Sequence, residues 1–298
     1  MNLCKVKNRK EREKNIEKYI KSPINYSGSK YRLLKQLIPL FPKDIDTFVD
    51  LFCGACNVGI NIEANKIICN DLIYYIPQLF NVWKEKSLDD INNYIDSQIE
   101  NFNLSSENQN EFLEFRKHYN ESKNIEDLFI LICYSFNYQM RFNNNHQYNS
   151  SFGKTASTMN DNIRNNINIF VNTIHNKNIN FISNDFRKVK IDKLKKNDFL
   201  YCDPPYLISG AVYQDGKRGF NGWNQKDDDD LLSILDVAND NKIKFALSNM
   251  IYSKGKSNDK LIEWSRKYQI NYLNANYNGS NYQRVDNCKD IEVLITNY

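Results

Sequence analysis

Histidine is scarce in this 298-residue chain: His118, His146 and His175 are the full set, at no spacing that lets them share a metal. One C-x-x-C occurs, Cys53 to Cys56, and no second pair completes a four-ligand zinc site. The seven cysteines (4, 53, 56, 69, 133, 202 and 288) are odd in number and sit mostly in apolar stretches, which favours reduced thiols over a disulfide framework. No metal is therefore expected. No apolar run approaches the ~18 residues of a membrane span, and no leader-like segment opens the chain. A membrane partner is not expected, and the chain reads as cytoplasmic. Glycine is also sparse, and its ten residues nowhere spell G-x-G-x-x-G, the loop that cradles a pyrophosphate.

What remains is an ordinary globular composition, 41% hydrophobic and 26% charged, long enough for one large domain or a core with an inserted second one. The net charge of +4 is unevenly placed. Residues 1–21 hold eight Lys and Arg against three Glu, or +5, leaving the rest near −1. Such a start either touches phosphates or is a solvated extension.

The most informative stretch is Asp203-Pro204-Pro205-Tyr206, which follows the apolar run Phe199-Leu200-Tyr201-Cys202. That run reads as a buried parallel strand, and ligands bind at the carboxyl ends of such strands. An ionised Asp203 accepts hydrogen bonds and cannot donate. Pro204 brings a carbonyl with no N–H of its own. Two adjacent acceptors suit an NH2 group, and Tyr206 supplies a flat face for the ring that carries it. A rigid turn with a solvated acid is the plainer alternative.

Upstream, Asn25-Tyr26-Ser27-Gly28-Ser29-Lys30 leads into a helix predicted over 31–38. Thr47 to Phe52 predicts a first strand ending in Asp50 and Phe52, followed by a tight loop at Gly54. Strand, glycine-containing loop and helix are the start of a doubly wound nucleotide fold. With Cys56 where a second glycine would stand, a ligand without phosphates remains open. The strand 67–69 ends at Asn70-Asp71, where an acid is placed for ribose hydroxyls. From 76 to 176 the texture turns helical (88–100, 107–119, 125–138), closing on Met140–Phe152, whose aromatics flank an Asn-rich turn and predict a β-hairpin. Further strands are predicted at 179–182, 243–247 and 292–296, with helices near 227–237 and 261–264. The 150 residues between Cys53 and Asp203 exceed the ~90 that three α/β units require. The predicted division is therefore a domain of 22–75 and 177–298, an insertion of 76–176 and a basic extension of 1–21.

Taken together, Asn25 to Lys30, Phe48 to Gly54, Asn70-Asp71, Asp203 to Tyr206, Leu247-Ser248-Asn249 and Glu292 to Tyr298 resemble, in order, the Dam-type DNA adenine-N6 methyltransferases, phage members among them. The resemblance implies a Rossmann-like α/β fold with a doubly wound mixed sheet and an inserted helical recognition domain carrying a β-hairpin. It implies S-adenosyl-L-methionine as methyl donor. Tyr26, Lys30, Asp71 and Asp203 match cofactor-contacting positions, Asp185 and Phe186 fall where the cofactor's adenine lies, and Asp50, Phe52 and Gly54 join them from the first strand and its loop. Cys56 departs from a family glycine. Ser151 and Thr155 depart from a Pro before Phe-Gly and an Arg shortly after it, so the familiar GATC site is not assigned.

The implied activity is methylation of adenine N6 in double-stranded DNA, in restriction–modification or phage DNA protection. Asp203 and Pro204 would hold the amine, and Tyr206 would stack on a flipped base with Tyr213 as a second wall. Arg141 and Asn143 on the hairpin would read base edges. Double-stranded DNA is the expected partner, with a cognate restriction endonuclease as a second. The setting would be the cytoplasm of a prokaryote or of a cell expressing a phage gene, at the nucleoid. A cytosine-N4 or RNA adenine methyltransferase, and a decayed DNA-binding relative, are the competing readings.

Overall fold

A computed structural model describes residues 19–208, 222–274 and 290–298. Eight strands form one sheet: β1 (Thr47–Asp50), β2 (Lys66–Asn70), β3 (Ile179–Ile182), β4 (Phe199–Cys202), β5 (Lys244–Ser253), β6 (Lys256–Ser257), β7 (Gln269–Leu273) and β8 (Ile291–Thr296). The order is β3-β2-β1-β4-β5-β8-β7, with the short β6 paired to β5. From β3 to β5 the pairing is parallel; β8 runs antiparallel to both its neighbours.

The central strands read as unbroken apolar runs because both faces of the sheet are covered. Side chains alternate between faces. Phe48, Phe199, Tyr201 and Ala246 enter one core, while Val49, Leu200, Cys202, Phe245 and Leu247 enter the other. The second core is closed by α7 (Gln225–Asp240) and α8 (Asp259–Ser265) through Leu231, Leu235 and Leu261. On the first, Leu34 and Leu37 of the single-turn α1 (Leu34–Leu37) lie against the sheet, and Phe41 meets Phe199 with ring centroids 5.0 Å apart. Each such fully buried Leu or Phe is worth about 1.5–3 kcal/mol.

Between β2 and β3 the chain makes five helices: α2 (Tyr75–Glu85), α3 (Leu88–Asn101), α4 (Gln109–Ser122), α5 (Ile125–Tyr134) and α6 (Asp161–Asn176). Every residue of α5 is buried, so the other helices wrap around it. These helices share the sheet's first core: Phe80 of α2 lies 5.2 Å from Phe181 of β3 and 4.6 Å from Phe170 of α6, centroid to centroid.

Several local expectations shift. The helix predicted at 31–38 is a 3-10 turn (Lys30–Leu33), then α1, then a second 3-10 turn (Ile38–Leu40) that contains Pro39, a residue with no N–H for a helical ladder. The first strand ends at Asp50, two residues early. The helix predicted to 138 stops at Tyr134, since Asn137 and Tyr138 adopt left-handed backbone with φ of 53° and 55°. The predicted hairpin forms no continuous strands. Its arms meet at one isolated bridge, Phe142 with Tyr148, flanked by the bonds from Asn143 N–H to the Gln147 carbonyl and from Asn149 N–H to the Arg141 carbonyl, while Phe152 bridges to Ser135 outside it. β7, whose sequence Gln-Ile-Asn-Tyr-Leu is half polar, was not expected, and an outer strand needs little apolar surface.

Candidate active site

Successive strands leave β1 in opposite directions, β2 and β3 to one side and β4 and β5 to the other. The crevice at their carboxyl ends is a topological switch point. It opens into a cleft of about 1060 Å³, and every catalytic and cofactor residue named from the sequence lines it. Asp50 ends β1, Asp71 follows β2, and Asp203 follows β4. Tyr26 and Lys30 arrive from the segment before α1.

Asp203 is the centre of a compact polar cluster. Its Oδ1 lies 2.8 Å from Lys30 Nζ and accepts the Tyr206 hydroxyl at 3.1 Å. The Tyr206 hydroxyl also lies 2.8 Å from Oε1 of Glu292, a residue of β8. Lys30 donates to the Gly28 carbonyl at 3.2 Å, lies 3.5 Å from Glu292, and sits 4.9 Å from the centre of the Tyr206 ring. Among the described residues no hydrogen bond reaches Asp203 Oδ2 or the Pro204 carbonyl, so two acceptors stay available beside each other. Burial pushes the Asp203 carboxyl up to about 6, with Lys30 opposing and the Glu292 charge reinforcing the rise. Lys30, expected at the cofactor, lines the cleft and pairs with Asp203 there.

The other half of the cleft has a different chemistry. Asp50 is 1% exposed; its Oδ2 accepts the Gly59 N–H at 3.2 Å, and its Oδ1 has no partner among the described residues. Burial, then the charge of Asp203, hold this carboxyl well above its ordinary range, against the Gly59 N–H. Asp71 fixes the loop by accepting the N–H of Gly54 at 2.8 Å and of Ile73 at 2.9 Å, yet burial still pushes it up to about 6. Gly54 is required here. Its φ is +48°, and an added Cβ would stand 2.9 Å from the Tyr26 ring. Phe52, Phe186 and Trp223 form an aromatic trio with centroids 5.4 to 5.6 Å apart. Asp185 caps the following turn and pairs with Arg187 at 3.0 Å; Arg187 also binds Asp227 and Asp230 of α7.

An unpartnered buried carboxylate oxygen, a second acid beside it and an aromatic trio suit a cationic, hydroxyl-bearing adenosyl compound. S-adenosylmethionine fits this donor set. Beneath the loop, Cys56 adopts φ 60° where the resembled family carries glycine, and its sulfur lies 3.3 Å from Cys69.

The residues expected to read DNA lie apart from the cleft. Neither Arg141 nor Asn143 lines the cleft. Arg141 is exposed. Asn143 Oδ1 accepts the N–H groups of Asn145 at 2.9 Å and Gln147 at 3.0 Å, so it shapes the turn, and bidentate pairing with adenine would compete with that role. Tyr213 lies outside the described residues. Sequence reasoning missed Glu292, Trp223 and Arg187 as site residues. Only Glu292 had a signal, as part of a motif to which no role was attached.

A family model for D12 class N6 adenine-specific DNA methyltransferases matches residues 26–278. The chain is similar to the Type II methyltransferase M.FokI of Planomicrobium okeanokoites, 46% identical over 280 residues, covering 94% of this chain and 43% of that one. Modification methylase StsI of Streptococcus sanguinis is 45% identical over 289 residues, covering 96% and 44%. Modification methylase LlaI of Lactococcus lactis is 32% identical over 288, covering 96% and 44%. The chain spans less than half the length of these relatives.

Proposed function

We propose, from the premise that this chain belongs to the D12 class of N6 adenine-specific DNA methyltransferases, that it methylates adenine N6 in double-stranded DNA with S-adenosylmethionine. The observation that carries this reading is the pair of unengaged acceptors, Asp203 Oδ2 and the Pro204 carbonyl, beside an aromatic ring at the switch point. Adenine N6 is a poor nucleophile because its lone pair is delocalised into the ring. Hydrogen bonds from both N6 hydrogens to these acceptors favour a tetrahedral nitrogen whose lone pair projects away from the ring. Asp203, ionised and held by Lys30, also opposes the positive charge that grows on that nitrogen.

Asp50 would hold the donor's ammonium, Asp71 its ribose hydroxyls, and Phe52, Phe186 and Trp223 with Asp185 its adenine. Bound there, S-adenosylmethionine supplies an electrophilic methyl group. The target base must leave the duplex to reach Asp203, and stacking on Tyr206 is worth about 1–3 kcal/mol. Pro205 keeps the turn rigid between acceptor and ring.

In this reading residues 22–75 and 177–298 carry the chemistry, 76–176 recognise DNA, and Arg141 is the base-reading candidate. The relatives named as modification methylases support a role opposite a restriction endonuclease, in the cytoplasm. Among the described residues no helix is long and apolar enough to cross a membrane. Incubation with tritium-labelled S-adenosylmethionine and duplex DNA, followed by nucleoside analysis, tests the reading. Label in N6-methyladenine is expected; label in N4-methylcytosine, or in RNA alone, would overturn it.

A further inference from the structure

Glu292 is the one member of the Asp203 cluster that does not line the cleft. Its side chain is fully buried in β8, opposite Met250 of β5 and Leu273 of β7. A carboxylate in such a place is costly unless partners offset its lost hydration. Its partners include the Tyr206 hydroxyl at 2.8 Å and Lys30 at 3.5 Å, and both also serve Asp203. A phenol has one hydrogen and lies between two carboxylates, so it can donate to one at a time. The shorter contact is to Glu292. Asp203 therefore competes with Glu292 for the same hydrogen and the same ammonium, and both contacts fall on its Oδ1.

We infer that Glu292 is a positioning residue for methyl transfer, drawing the Tyr206 hydroxyl and part of the Lys30 charge away from Asp203. Two effects follow. The Tyr206 ring is anchored through its hydroxyl, at the far end from the backbone, so its face is fixed for the incoming base. Asp203 keeps a stronger negative charge than a lysine-paired acid would otherwise carry, and it is the acceptor that faces the substrate amine. Among the described residues, the charged and titratable groups around Asp203 include Lys30, Tyr206, Glu292, Tyr201, Cys202 and Asp50. With Glu292 neutral, the hydroxyl turns to Asp203 and the Lys30 charge is no longer shared with a second carboxylate at 3.5 Å. Both changes lower the basicity of Asp203.

The inference rests on the proposed methyl transfer for its kinetic arm only. In the first arm, Glu292→Gln is compared with the unaltered chain by carbon-13 titration of the Asp203 carboxyl, which needs no turnover. The Asp203 titration is expected to move to lower pH; an unmoved one overturns the inference, whatever the chain's activity. In the second arm, Glu292→Gln is expected to lower kcat by about tenfold or more, with KM for DNA and the cofactor Kd within about twofold. The acid limb of the pH–rate profile should move down with the titration. Tyr206→Phe should then remove most of the further effect of Glu292→Gln, because the two act through one hydroxyl; additive losses would contradict that route. Should the glutamine variant not fold, Glu292→Asp keeps the charge and withdraws the oxygen from Tyr206. It is expected to lose part of kcat, and full activity would overturn the inference. Failure of the functional reading leaves the titration result standing, so the two are distinguishable.

Discussion

The cleft and the helical insertion both bury acids, and they treat them differently. In the insertion, Glu126 and Asp127 lie in the first turn of α5, where the helix dipole favours negative charge. Glu126 pairs with Lys86, and Asp127 meets Tyr94 at 2.8 Å and His118 at 3.3 Å. These acids are turned inward to neighbours, although Glu126 Oε1 and Asp127 Oδ2 accept no hydrogen bond among the described residues and burial raises the Asp127 carboxyl too. At the sheet edge, Asp50, Asp71 and Asp203 line an open cavity, and burial raises all three carboxyls. There the unused acceptor capacity faces a cavity that a ligand can enter, which Glu126 and Asp127 do not line. The same residue type is structural in one region and waiting for a partner in the other.

The sharpest way to break this contrast is Asp203→Ala. It should cut methyl transfer by at least a hundredfold, as expected for losing a principal charge-stabilising acceptor, while the fold persists; near-normal single-turnover rates would remove Asp203 from the chemistry. Changing pH separates activity from stability. Because Asp203 and Asp71 are raised from 3.8 to about 6, the stability they allow at low pH is lost as pH rises through 6. Activity runs the other way, since Asp203 accepts only when ionised. From pH 7 to pH 5, kcat should fall about tenfold, and these two acids should raise Tm over the same range; a flat kcat profile would count against an ionised Asp203. Asp71→Asn should weaken cofactor binding by about tenfold and flatten the dependence of Tm on pH, both readable by calorimetry. Arg141→Ala should have the smallest effect on rate. On a randomised duplex library it should relax preference at one base pair by about 1–3 kcal/mol with cofactor affinity intact, whereas a uniform loss would mark a phosphate contact.

Much of the sheet was legible because its central strands are buried on both faces, and such runs as Phe199–Cys202 admit few other readings. The acids at the ends of β1, β2 and β4 were legible for the same reason: once the strands are placed, their carboxyl ends are placed. What could not be read was pairing across long separations. Glu292 comes 86 residues after Tyr206 in sequence, and nothing local says that it reaches that hydroxyl. Lys30 is expected at the cofactor from its match to a family position, and it lines the cleft; that its ammonium also meets Asp203, 173 residues on, has no local signal. The loop over 140–149 reads as a hairpin from its aromatic and Asn pattern, but the rings of Phe142 and Tyr148 turn into the insertion's core and leave little ladder to form.

The return of the chain from α6 to β3 has an evolutionary consequence. β2 and β3 are hydrogen-bonded neighbours, Ile67 opposite Ile179 through Asn70 opposite Ile182. Because that pairing is parallel, the long helical excursion leaves at Asn70, at the carboxyl end of β2, and rejoins at Ile179, on the adjacent strand but three residues back, about 10 Å along the strand direction. Its outer helices and the loop carrying Arg141 can lengthen, shorten or diverge without displacing Asp50 or Asp203. The face bearing Phe80 and Phe170 cannot, because it seals β3. If the insertion reads DNA as proposed, relatives of different specificity are expected to keep that inner face and vary the outer one, with the strand-end acids unchanged.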